Sequence, residues 1–208
     1  MLSPRRAAQL GLSAAVLVAV ACLALLAAGA AEDRRLLIGQ PGATAPDFVL
    51  PDAMNPSGTP IHLADLRGSV VVLYFSSIRC PVNNDYDQRI AQLASRHEKR
   101  GRVKFLAIHS ASAAQSPLEI SVQSSVAGLR FPHLLDTDGA VAARYAAQMT
   151  PTFIVIDRSG EIRYRGAFDD SRAIEGVRRQ YLENAIYDVL SGRPIGEQTS
   201  EVSGCAIR

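Results

Sequence analysis

The apolar positions fall into alternating strand-like and helix-like blocks. Val70–Phe75 is an unbroken β-branched and aromatic run, the pattern of a strand buried on both faces. After a short turn, Tyr86, Ile90, Leu93 and Ala94 recur at helical spacing and predict a helix from Asn84 to about Arg100, ended by Gly101. Val103–Ile108 predicts a second buried strand, and a helix is expected at about Leu118–Ala127. Phe131–Leu135 reads as a strand edge, followed by a turn at Asp136–Gly139 and a short helix at Ala140–Ala147. Thr152–Asp157 and Glu161–Arg165 read as two strands joined by the tight turn Arg158-Ser159-Gly160. Val177, Tyr181, Leu182, Ala185, Ile186, Val189 and Leu190 fall on one face of a last helix, which stops at Gly192-Arg193-Pro194.

This order, β–α–β–α–β–α, then a hairpin, then a helix, predicts an α/β domain. Its central mixed sheet is flanked by helices, with a parallel portion and antiparallel strands at one side. Residues 32–194 form that domain. Residues 32–60 open it as an extension rich in Pro, Gly and small polar residues, in which only Phe48-Val49-Leu50 suits a strand. Residues 195–208 lack periodicity and are expected to run extended over the surface. A 48% hydrophobic, 20% charged chain of this length buries one core, which excludes a disordered tail.

Residues 1–31 change the picture of where the protein works. Arg5 and Arg6 precede an apolar run from about Leu10 to Leu26, and Ala27-Ala28-Gly29-Ala30-Ala31 offers small residues for cleavage after Ala30 or Ala31. Three readings stay open: a cleaved signal peptide, an uncleaved membrane anchor over residues 10–31, and a lipoprotein at Cys22, whose Ala19-Val20-Ala21 is a poor match. Each places residues 32–208 outside the cytoplasm, in a periplasmic or other extracytoplasmic space. The net charge of +2 comes from Arg5 and Arg6; without them 20 basic residues balance 20 acidic ones. A neutral mature chain has no electrostatic footprint for nucleic acid, and that class is set aside.

The leader takes Cys22 with it, leaving Cys80 and Cys205, 125 positions apart. An oxidising compartment lets such thiols persist as a disulfide. Cys80 follows a buried strand and immediately precedes Pro81 and a helix. There the unpaired N–H groups and the positive helix end favour thiolate over thiol, and Pro81 suits a first helical turn. Arg79 adds a cation, and Ser76 and Ser77 offer hydroxyls. The competing reading is an inert cysteine packed as a small apolar residue. Thr150-Pro151-Thr152 places a proline at the opening of a buried strand. His62, His97, His109 and His133 lack ligand spacing, so no metal and no cofactor is expected, and His109 reads as a satisfied histidine. Asp136/Asp138 and Asp169/Asp170 read as turn and helix-start residues. Arg163 and Arg165 are expected on one solvated face.

Several stretches together resemble the thioredoxin-fold redoxins. They are Gly42–Leu50, Leu63-Ala64-Asp65-Leu66-Arg67-Gly68, Val70–Phe75 with Cys80-Pro81, Thr150-Pro151-Thr152, Tyr164–Asp170 and the ending Gly204-Cys205-Ala206-Ile207. The resemblance covers about residues 36–208. It is closest to peroxiredoxin-like members of the AhpC/TSA group, an exported subgroup with a single active-site Cys and a C-terminal Gly-Cys, with the TlpA/ResA thiol oxidoreductases nearby. It implies a thioredoxin-like fold, a cis-proline at Pro151 whose preceding backbone at Thr150 faces the reactive sulfur, and Ser77 in place of the threonine of peroxiredoxins. Three departures stand out. Asn83 replaces the second cysteine of a Cys-x-x-Cys pair, Leu73 stands where peroxiredoxins carry proline, and Thr150 stands where they carry a peroxide-holding arginine.

Three functions follow as expectations. A peroxiredoxin-like enzyme would use the Cys80 thiolate to reduce peroxides or exchange disulfides with an oxidised substrate thiol, with Cys205 as the resolving thiol and an external dithiol donor (thioredoxin-like or a membrane thiol donor) resetting the pair. A TlpA/ResA-like oxidoreductase would exchange disulfides with protein partners. A non-enzymatic module would hold a permanent Cys80–Cys205 bond. Cys205 as resolving thiol, structural partner or bystander is left open by the sequence, as is a tether to the membrane through the N-terminal segment.

Overall fold

The structure, a computed structural model, describes residues 19–20, 39–99, 101–111 and 115–207. The expected leader, residues 1–31, lies outside the described residues apart from Ala19 and Val20. Among the described residues no helix is long and apolar enough to cross a membrane.

Two short strands, β1 (Val49–Leu50) and β2 (Ile61–His62), pair antiparallel ahead of the main sheet. The expected strand at Phe48–Leu50 is there; its partner at Ile61–His62 is too short to show a period. The central sheet follows the expected order. It contains β3 (Val70–Ser76), β4 (Val103–Ser110), β5 (His133–Asp136), β7 (Thr152–Ile156) and β8 (Ile162–Gly166), while β6 (Met149–Thr150) lies just before β7. Spatial order is β5-β4-β3-β7-β8. The pairs β3/β4 and β4/β5 are parallel, and β3/β7 and β7/β8 are antiparallel. Helices α1 (Pro81–Asn84), α2 (Asp87–Glu98), α3 (Pro117–Val126), α4 (Ala140–Arg144) and α5 (Tyr181–Ser191) flank it.

The alternation of β3 divides the core into two layers. Val70, Val72 and Tyr74 pack with Ile90, Leu93, Leu182 and Ile186 on the face of α2 and α5. Val71, Leu73 and Phe75 pack with Leu106, Ile108, Val141 and Tyr145 on the other. Every side chain of β3 is buried, so the strand is fixed from both sides and presents its C-terminal end rigidly. Each fully buried large apolar side chain contributes roughly 1.5–3 kcal/mol.

Four expectations are corrected. The single helix from Asn84 to Arg100 is two pieces: Tyr86 N donates to Asn83 O at 2.8 Å, a tighter turn than the α-helical one, and the Asn83 side chain turns inward beneath it. The last helix begins at Tyr181 and excludes Val177, because the Asp170 carboxylate accepts the N–H groups of Arg178 and Arg179 and holds that segment outside the helix. Arg165 does not share a solvated face with Arg163: its guanidinium is half-buried and donates to the carbonyls of Gly39, Tyr145 and Ala146, while Arg163 pairs with Asp157. The C-terminal tail is not merely draped over the surface. Thr199 bridges Arg165 on the outer edge of β8, Ser200 N donates to Arg165 O at 3.2 Å, and β9 (Cys205–Ala206) pairs antiparallel with β6.

Candidate active site

Cys80 sits at the N-cap of α1 with extended backbone, and Pro81 takes the first helical position as expected. Cys80 N donates to Ser77 O at 3.1 Å, and Asn83 N donates to Cys80 O at 3.0 Å, so the turn is closed on both sides of the sulfur. Because α1 is one turn long and the next helix starts separately at Asp87, the long helix expected behind Cys80, and the summed dipole it would bring, is not there. Ser76 and Ser77 brace the turn through other partners: Ser76 Oγ accepts from Asn83 Nδ2 at 2.9 Å, and Ser77 Oγ accepts from Arg79 N at 3.3 Å. Arg79 is exposed at the rim.

The second wall is β6 and the loop after it. The Thr150–Pro151 peptide bond is cis, and the Thr150 carbonyl oxygen lies 3.4 Å from the Cys80 sulfur. Cys80 is joined to Cys205 in a disulfide whose Cα atoms are 5.8 Å apart. A disulfide sulfur carries no proton, so this approach is a contact; on reduction the Cys80 thiol can donate to the same oxygen. Cys205 stands opposite Thr150 in the β6/β9 register, Thr150 Oγ1 donates to Cys205 O at 3.4 Å, and Ile207 N donates to Gln148 O at 2.9 Å. Cys80, Cys205, Thr150 and Pro151 thus meet at one point, with Ser77 and Arg79 on the turn beside it. The bystander reading of Cys205 falls away. Cys80 is 1% exposed and Cys205 half-buried.

Two residues that the sequence analysis named only as parts of the resemblance and its departures shape this point. Gly204 passes so close to Thr150 that a β-carbon there would overlap the Thr150 carbonyl. Asn83, read only as a missing cysteine, braces the turn. Below the turn, Ser76, Asn83, Asp87 and Ser124 line a polar cavity of about 40 Å³. Burial pushes the Asp87 carboxyl up to about 6. Beyond it His109 and His133 are buried against each other, His109 Nε2 lying 3.0 Å from His133 Nδ1 and Ser124 Oγ 3.0 Å from the same nitrogen. Burial pushes His109 down to about 3 and His133 down to about 4, so both are neutral. The expectation of a satisfied His109 is corrected: its Nδ1, like His133 Nε2, is buried with no hydrogen-bond partner among the described residues. On the open side, a cleft of about 500 Å³ runs past Tyr86, Pro151, Phe168 and Arg179, with tail residues Val202 and Ser203 as its far wall.

Comparison with known proteins gives this arrangement relatives. The thiol-disulfide oxidoreductase ResA of Geobacillus kaustophilus (strain HTA426) is 31% identical over 122 residues, 59% of this chain and 66% of the relative. The chain therefore spans just under two thirds of the length of that curated relative. Among solved structures, a hypothetical protein of Sinorhizobium meliloti 1021 superposes with a TM-score of 0.72 at 32% identity, covering 81% of this chain and 93% of the other. An uncharacterized conserved protein of Geobacillus kaustophilus superposes with a TM-score of 0.72 at 30% identity, covering 81% and 91%. The fold is thioredoxin-like, as the resemblance implied. The AhpC/TSA family profile matches residues 41–165, from the loop before β1 to the strand that anchors the tail, and the chain belongs to the AhpC/TSA family.

Proposed function

We propose that this chain is an exported thiol–disulfide oxidoreductase whose Cys80–Cys205 pair cycles between disulfide and dithiol. The observation that carries the reading is the placement of that bond: 125 positions are bridged at the N-cap of a helix, against the carbonyl preceding a cis-proline. The overall exchange is balanced. A partner dithiol gives two electrons and two protons to the Cys80–Cys205 bond and leaves as a disulfide, while both cysteines become thiols; the reverse direction reduces a partner disulfide. The cleft beside Pro151, walled by aromatic and charged side chains, suits a polypeptide partner. The name of the ResA relative agrees with this chemistry, and the leader reading of residues 1–31 supports a site outside the cytoplasm, with or without a membrane tether.

Redox titration of the full chain tests this reading against that of a permanent disulfide. The expected midpoint lies above about −300 mV, where physiological thiols can reduce the bond; a lower value makes the bond structural. A bond of this span contributes up to about 5 kcal/mol on the chain-entropy model if the reduced native state is otherwise unchanged.

The peroxide-reducing variant of the reaction rests on family membership and on Ser77 beside the cysteine. It would form a Cys80 sulfenic acid, which Cys205 condenses to the disulfide with loss of water. Against it stand Thr150 in the arginine position and the commitment of the Arg165 guanidinium to the carbonyls of Tyr145 and Ala146. Rapid mixing of the reduced protein with hydrogen peroxide decides: oxidation of Cys80 no faster than free cysteine removes this variant.

A further inference from the structure

The two cysteines of the bond are not equally exposed, and the difference assigns them different jobs. Cys80 is 1% exposed, enclosed by its own turn and by the Thr150 carbonyl, whereas Cys205 is half-buried on a two-residue strand at the protein surface. In thiol–disulfide exchange the incoming thiolate approaches the attacked sulfur from the side opposite the sulfur that leaves, so access decides which one is attacked. Cys80, buried just after the fully buried β3, is the less accessible of the two, and Cys205, part-exposed on β9, is the more accessible one.

We infer that Cys205 is the entry sulfur, the one that carries the mixed disulfide with the partner, and that Cys80 is the leaving sulfur. The inference rests on the proposed redox cycle. In the reducing direction a partner thiolate bonds to the Cys205 sulfur, the Cys80–Cys205 bond breaks, and its electron pair leaves on Cys80 as thiolate at the N-cap of α1. The partner's second thiolate then attacks its own sulfur in the mixed disulfide. This frees Cys205 as a thiolate, which takes a proton from water, and the partner departs as a disulfide. Reversal of the same path has the Cys205 thiolate attack a partner disulfide and Cys80 close the bond behind it. The roles are the opposite of those expected from the sequence, where Cys80 was the nucleophile and Cys205 the resolving thiol.

The oxidised full chain, mixed with reduced glutathione, quenched in acid at the earliest resolvable times and blocked with N-ethylmaleimide, tests the assignment by peptide mass spectrometry. Expected is glutathione on Cys205 and maleimide on Cys80, favoured at least tenfold over the converse. Glutathione on Cys80 in equal or greater amount overturns the assignment and leaves the redox cycle standing. A bond that yields no adduct with glutathione and persists in excess dithiothreitol while the fold is intact removes the cycle, and the assignment with it.

Discussion

Gly204 and Thr150 approach so closely that the glycine hydrogen occupies space where any β-carbon would overlap the Thr150 carbonyl oxygen. That carbonyl also faces the Cys80 sulfur at 3.4 Å, so one backbone oxygen touches Cys80 and the residue before Cys205. The tail can bring Cys205 to Cys80 only because the residue before it has no side chain.

Gly204→Ala is therefore expected to push β9 away from β6 and to disfavour the oxidised state. Overpacking of this kind costs roughly 1–3 kcal/mol. Expressed on the two-electron couple, this raises the midpoint by roughly 20–60 mV, making the bond easier to reduce. Equilibration with a glutathione buffer measures it, and a midpoint equal to that of the wild type contradicts the steric account.

Arg89 on α2 pairs with Asp169, donates to the Ser171 and Arg172 carbonyls, and lies over the Tyr86 ring at 4.3 Å. The side chain of Asp169 is 2% exposed. Burial nevertheless raises the Asp169 carboxyl above its ordinary value, so desolvation outweighs the attraction of Arg89. Removing Arg89 leaves an uncompensated buried carboxylate, and Arg89→Ala is expected to cost about 3–5 kcal/mol in urea unfolding. Arg89→Met combined with Asp169→Leu is expected to recover most of that loss. If the double variant is as unstable as the single one, the aromatic stacking and carbonyl contacts matter more than the charge.

Acid sensitivity is expected from the buried histidine pair. The folded state holds His109 and His133 neutral, down to about 3 and about 4, against an ordinary value of 6.5. Below 6.5 the unfolded chain therefore binds more protons, so stability is fully present above 6.5 and falls as pH drops toward about 4. The slope is up to roughly 1.4 kcal/mol per pH unit for each ring. Urea unfolding between pH 7 and pH 4, compared with a His109→Gln/His133→Gln variant, isolates the pair. Parallel pH profiles for the two proteins contradict this account.

The strand–helix order, the α/β class, the continuous burial of Val70–Phe75, the position of Pro81 and the neighbourhood of Cys80 were legible in the sequence. Each is written in local spacing, a period of two or of 3.6, or in a residue whose backbone restricts its neighbours. What depends on residues distant in sequence was decided by packing. Arg165 reads locally as a solvated strand residue, yet residues 39 and 145–146 cover it. The tail from Ile195 has no period because a two-residue strand needs none; its position follows from the edges it meets at Arg165 and Thr150. Two cysteines 125 positions apart pose a question of distance, which spacing along the chain does not contain. Tertiary structure answered it, and the same packing buried Cys80 and left Cys205 part-exposed, because burial is a property of everything that surrounds a residue and not of its neighbours along the chain.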